Sequence, residues 1–216
     1  MKFQRSSLVH TAREAPTSTL IPRAGPAYSS MSFQFEPLAI PDVIRITPAR
    51  HGDHRGFFSE TYRASAFEKA GIRDVFLQDN HARSTRGVLR GLHYQAPPRA
   101  QAKLVRVVQG DVFDVAVDLR VGSPTFGQWA GGALSGEDGV ILYIPEGFAH
   151  GYVCLSERAD LVYKVSNEFD AALDRGIAWD DPMIGIPWPV EHPTLSERDL
   201  SLPGLDSATS PFQFQQ

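Results

Sequence analysis

The chain has one cysteine in 216 residues, Cys154, so no internal disulfide can staple it. That cysteine lies in the apolar stretch GYVCL, where a thiol packs as a small hydrophobe, and the usage fits an intracellular, cytoplasmic protein. No apolar run approaches the roughly 20 residues that a membrane-spanning helix needs. Blocks of like charge are missing too. With 21 Lys and Arg against 25 Asp and Glu, the net charge of −4 gives no general attraction to nucleic acid or to an anionic membrane surface. These absences set aside disulfide scaffolds, membrane spans and nucleic-acid binders, and leave a protein that meets small molecules or other proteins.

The first thirty residues lack the means to build a core. Ser, Thr, Pro and Arg are frequent there, Glu14 is the only acid, and the apolar patches are fragments such as Leu8-Val9 and Leu20-Ile21. The stretch also lacks the continuous apolar segment of a secretory signal, although an organelle-targeting role stays open. Met31 opens MSFQFEPLAIPDV as a domain start does. The expectation is a disordered or over-annotated extension over 1–31, followed by one domain over 32–216, a length that supports a full core.

From residue 43 onward the chain is built of short β-rich runs separated by turn residues: VIRIT, GFFSETYR, DVFLQDN, GVLRGLHYQ, KLVRVVQG, DVFDVAVDLR, GVILYI, GYVCL and DLVYKVSNEF. Only ASAFEKAG (64–71) reads as a short helix, and residues 170–216, with several prolines, read as irregular coil around the body. The expected class is all-β, a sandwich or barrel. In KLVRVVQG, Lys103, Val105 and Val107 share one face while Leu104, Arg106 and Val108 share the other, so both faces are largely apolar. That pattern predicts a sheet covered on both sides. Strict alternation would put Arg90 and His93 on opposite faces, unless Gly91 between them seats a bulge.

The glycine-framed stretch GVLRGLHYQAPPRAQAKLVRVVQG resembles the first motif of a cupin barrel, in which His-x-His followed by Glu holds a metal. His93 is present, but Gln95 takes the second histidine's place and Lys103 the acid's. The second motif, GVILYIPEGFAHGYVC, adds only His150. Two histidines beside a lysine are a poor cation site, so no metal is expected. Histidine and lysine in one pocket instead suit proton abstraction next to a carbonyl: the imidazole titrates near neutrality, and the ammonium stabilises an enolate oxygen.

HGDHRGFFSETY, QDNHARS, GVLRGLHYQ, QAKLVRVVQGDVFDVAVDLRVGSPTFGQW, IPEGFAHGY, GIAWDDP and LSERD, in that order over roughly residues 40–200, resemble the dTDP-4-dehydrorhamnose 3,5-epimerase family. The resemblance implies a metal-free, cofactor-free cupin-type jelly roll that epimerises carbons 3 and 5 of a dTDP-linked 4-keto-6-deoxy sugar. It implies His93 as base, Asp199 as the carboxylate paired with it, Tyr163 as general acid and Lys103 beside the 4-keto oxygen. Without the resemblance, Asp199 reads as a solvated tail residue and Tyr163 as a packed aromatic. It further implies substrate contacts from Arg55, Phe58, Glu60, Gln78, Asn80, Arg90, His150, Phe169, Asp174 and Arg198, some of them across a homodimer interface. Taken alone, Arg55 and Arg198 read as surface charges and Phe58 as a core aromatic. The chain departs from the family pattern twice. Phe169 stands where many members carry tyrosine, and Asp174 where a glutamate is usual. The first departure bears on whether one carbon or two are inverted. A nucleotide-sugar binding module without catalysis is the alternative from another class.

Overall fold

The computed structural model describes residues 32–205 and 210–214; the N-terminal extension expected over 1–31 lies outside them. Thirteen strands run in chain order: β1 (Phe33–Pro37), β2 (Ile44–Pro48), β3 (Arg50–Asp53), β4 (Gly56–Ser59), β5 (Gln78–Thr85), β6 (Leu89–Gln95), β7 (Lys103–Gln109), β8 (Asp111–Asp118), β9 (Trp129–Ser135), β10 (Ile141–Ile144), β11 (Phe148–Cys154), β12 (Arg158–Val165) and β13 (Asp174–Gly176). Two short helices join them, α1 (Ala64–Lys69) and α2 (Glu197–Leu200). The strands make a six-stranded sheet ordered β1-β2-β10-β7-β12-β5, a five-stranded sheet ordered β13-β6-β11-β8-β9, and the hairpin β3-β4. This is a cupin-type jelly roll, with neighbouring strands antiparallel throughout both large sheets.

Alternation in β7 works as the sequence predicts. Val105 and Val107 enter the core between the sheets with Leu142, Leu161, Phe148 and Val112. On the other face Leu104 packs beneath α1 with Phe33, Ile46, Phe67 and Ile141. Phe67 is 1% exposed and takes Phe33, Phe35 and Tyr62 edge-on, at centroid distances of 5.2, 5.4 and 4.9 Å. Burying such a ring is worth about 1.5–3 kcal/mol, which is why a six-residue helix with no side-chain cap persists there. The cover stops short of the strand's end: Val108 is 41% exposed, so the outer face is sheltered only in part.

Several elements depart from the sequence-based expectation. The run DVFLQDN enters the ladder only at Gln78, and the strand continues through HARST to Thr85, because the whole of β12 from Arg158 to Val165 is available to pair with it. GFFSETYR is a strand only over Gly56–Ser59, and it closes a hairpin on β3. β1, β3, β9 and β13 have no counterpart among the β-rich runs of the sequence. Nor does α2, a helical turn inside the C-terminal stretch that reads as coil, and that turn carries Asp199.

Candidate active site

One cavity of about 660 Å³ opens between the two sheets. Its wall is drawn from β5, β6, β7, β11, β12 and β13, closed on one side by the 194–199 segment.

The bulge expected at Gly91 is present and decides how β6 faces this cavity. Against β11, His93 is the partner of His150 and Arg90 of Tyr152, so two residues of β6, Gly91 and Leu92, stand opposite Gly151 alone. Gly91 has φ +143°, and a Cβ there would sit 2.6 Å from the Gly151 Cα, so only glycine allows this approach. The consequence is that Arg90 and His93, three apart along the chain, both line the cavity.

His93 Nε2 lies 2.6 Å from Asp199 Oδ1. Asp199 is 4% exposed, not a solvated tail residue. It is held by the start of α2, where the Ser196 hydroxyl accepts from the Asp199 backbone N–H at 3.1 Å, and by Arg198, which pairs with Asp174 of β13 at 2.8 Å. With the carboxylate accepting the Nε2 proton, Nδ1 is the basic nitrogen, and among the described residues nothing hydrogen-bonds it. Burial pushes the His93 pKa below its ordinary value of 6.5. Asp199 works against that shift, while the positive charges of Lys103 and Arg198 add to it.

Lys103 is 7% exposed, and its Nζ donates to the His93 carbonyl at 3.2 Å. Burial lowers its pKa from 10.5 to about 8, with Asp114 and Asp174 holding it up. The ammonium therefore stays mostly protonated at neutral pH and retains further N–H donors for the cavity. Asp114, fully buried on β8, receives the imidazole of His150, whose Nε2 is 3.0 and 2.9 Å from its two oxygens. A second histidine–carboxylate pair thus stands beside the first. The sequence motifs do not single out Asp114, though a carboxylate at an inward position of the valine-rich strand DVFDVAVD is itself a signal, since a buried charge needs a partner.

Tyr163 lies on β12, half-buried, and no described residue hydrogen-bonds its hydroxyl. Burial raises its pKa above 10, with Arg90 opposing and Asp174 adding, so the phenol stays protonated. Arg90 donates to the Ser84 hydroxyl at 3.0 Å, and that hydroxyl meets Tyr152 Oη at 3.0 Å. Gln78 donates to Asn80 Oδ1 at 2.8 Å and accepts from the Phe169 backbone N–H at 2.8 Å, so Phe169 stands at the mouth, 56% exposed.

Seven of the ten expected substrate contacts line this cavity: Gln78, Asn80, Arg90, His150, Phe169, Asp174 and Arg198. Arg55, Phe58 and Glu60 do not. Arg55 is at the tip of the β3-β4 hairpin and pairs with Asp53 at 2.5 Å, and Glu60 faces Arg63 at 3.7 Å. Phe58 is 70% exposed, the reverse of a core aromatic. Among the described residues no three of His, Cys, Asp and Glu come together in a metal-ligand group.

A jelly-roll barrel with a histidine–carboxylate pair, a buried ammonium and a phenol around one cavity falls in the class of cupin-type isomerases. The model of the family dTDP-4-dehydrorhamnose 3,5-epimerase matches residues 37–207, and the chain belongs to that family. The dTDP-4-dehydrorhamnose 3,5-epimerase of Pseudomonas aeruginosa is 57% identical over 164 residues, 75% of this chain and 90% of that protein. The Shigella flexneri enzyme of the same name is 55% identical over 163 residues, with the same coverage of 75% and 90%. A crystal structure of dTDP-6-deoxy-D-glucose-3,5-epimerase from Legionella pneumophila, in complex with dTDP-4-keto-L-rhamnose, superposes with a TM-score of 0.83 at 44% identity, covering 85% of this chain and 100% of that one. The protein is accordingly an isomerase of the dTDP-4-dehydrorhamnose 3,5-epimerase type.

Proposed function

We propose that the protein inverts carbons 3 and 5 of dTDP-4-keto-6-deoxyglucose through an enolate. The observation that carries this reading is the 2.6 Å pairing of His93 with Asp199 inside a cavity that Lys103 and Tyr163 also line. Both carbons lie next to the 4-ketone, which acidifies their C–H bonds, so no cofactor is called for. His93 Nδ1 takes the proton. The C–H electron pair becomes the carbon–carbon double bond of the enolate, and the negative oxygen rests on the Lys103 ammonium. Such a positioned donor is typically worth about 3 kcal/mol of barrier. Tyr163, protonated because it is buried, then returns a proton to the same carbon from the opposite face. His93 then releases its proton to solvent and Tyr163 takes one from solvent, which resets both groups, and repeating the cycle at the second carbon inverts both.

The nucleotide half meets the mouth. Arg90 and Arg198 supply guanidinium groups suited to diphosphate oxygens, and the exposed Phe169 ring supplies a flat surface for the base. Arg55, Phe58 and Glu60, turned away from their own cavity, fit a homodimer in which the β3-β4 side of one copy reaches the cavity of the other. The catalytic unit is one domain over residues 32–216. Cys154 is reduced and buried, which fits a cytoplasmic enzyme; among the described residues no helix is long and apolar enough to cross a membrane.

A second reading, inversion of one carbon only, rests on Phe169 in place of tyrosine. The exposed position of that ring puts the missing hydroxyl at the mouth, which favours the two-carbon reading. The test of the base is His93→Ala, which is expected to lower turnover by roughly 10²–10⁴ with the circular dichroism spectrum unchanged. Activity kept within a few-fold would remove His93 from the role.

A further inference from the structure

Gln95 fills the slot where a metal-binding barrel carries its second histidine, and the three hydrogen bonds its side chain makes all go to backbone groups away from the reacting groups. It is 4% exposed. Its Nε2 donates to the carbonyls of Arg99 and Glu168, the latter at 3.1 Å, and its Oε1 accepts from the Asp170 N–H at 2.8 Å. Phe169 lies between the two residues of 168–170 that it grips. Around this centre the 96–102 loop and the 166–170 segment are laced together. Asn167 donates to the Ala100 carbonyl at 2.7 Å, Gln101 to the Asn167 carbonyl at 2.8 Å, and the Ala102 N–H to the Ser166 hydroxyl at 2.8 Å. Outside, Arg99 approaches Glu168 at 3.5 Å and Asp170 at 3.6 Å.

We propose that Gln95 is a positioning residue for the nucleotide: it fixes the 166–170 segment so that the Phe169 ring stands ready at the mouth before substrate arrives. An aromatic side chain that is 56% exposed has little packing of its own to hold it. Its orientation comes from its backbone, which is clamped by Gln95 on either side and by Gln78 through the Phe169 N–H. Pre-organising a stacking surface lowers the ordering cost of binding and leaves the chemical step alone. The inference rests on the nucleotide-sugar reading given above, with Phe169 as the surface for the base.

The test uses the full-length protein. Gln95→Leu keeps the volume and removes all three hydrogen bonds. It is expected to raise KM about tenfold with kcat held within about threefold, because uniform binding is lost, and to weaken calorimetric binding of dTDP by a similar factor. In a Phe169→Ala background the same change should add less than about twofold, because its effect runs through that ring. Arg99→Ala loosens the same segment from the surface, so it takes over as the test if Gln95→Leu does not fold; a rise in KM with kcat held is again expected. A fall in kcat with KM unchanged, or effects of Gln95→Leu and Phe169→Ala that simply multiply, would overturn the proposal. A His93→Ala enzyme that still turns over while Gln95→Leu behaves as stated would fault the catalytic reading and leave this one standing.

Discussion

His93 Nε2 and Asp199 Oδ1 lie 2.6 Å apart, though the two residues are 106 positions apart in the chain. Three local features make the contact. The bulge at Gly91 turns His93 into the cavity with Arg90. The Ser196 cap sets the first turn of α2. The ion pair from Arg198 to Asp174 ties that turn to β13 at the edge of the sheet that holds His93. In the proposed mechanism the carboxylate fixes the tautomer and steadies the imidazolium formed when the proton arrives.

Asp199→Asn tests the tautomer argument. The amide N–H would donate to Nε2, which moves the ring proton to Nδ1 and removes the base. Steady-state kinetics should show kcat down by about 10³–10⁴ with the fold kept. A loss below tenfold would mean that the pair holds structure and does not carry chemistry.

The proposed mechanism makes two charge requirements, and they set a pH profile. His93 must be neutral to act, and burial holds its pKa below 6.5, so kcat/KM should rise with pH through a midpoint below 6.5. Lys103 must be charged, and its pKa is lowered to about 8, so kcat/KM should fall with pH through a midpoint near 8. Asp114 helps keep that ammonium charged, so Asp114→Asn should move the alkaline limb to lower pH while the acid limb stays nearly in place. An alkaline limb that does not move would detach Asp114 from Lys103.

Tyr163→Phe separates proton removal from inversion. With the base intact and the phenol gone, His93 can still remove a proton and return it to the same face. In D₂O the starting sugar should then exchange hydrogen for deuterium while the inverted product accumulates at least about 10²-fold more slowly. Normal inversion by this variant would transfer the acid's role to another group.

Much of this site is legible in the sequence, for physical reasons that differ by residue. His93, Lys103 and His150 occupy glycine-framed barrel motifs, and the Gly91 bulge can be read from a glycine placed between two polar residues of one strand. Asp199 has no such frame. It sits in a charged LSERD stretch whose burial depends on α2 docking against β6 and β13, a tertiary event that local pattern does not report. β9 escapes the strand pattern because WAGGALS has weak strand propensity; the glycine is there because a Cβ at Gly131 would sit 2.1 Å from the Asp114 carbonyl oxygen. Gln95 can be placed from sequence but not understood, since its partners at Arg99, Glu168 and Asp170 come together only in the folded chain.

The most direct test of the central claim is to follow carbons 3 and 5 of dTDP-4-keto-6-deoxyglucose by NMR in D₂O with the purified enzyme, beside a His93→Ala control. Deuterium entering at both carbons, with inversion, and lost in the control is the predicted result. Entry at one carbon alone would restore the single-carbon reading, and no exchange at either would contradict the acid–base account of this cavity.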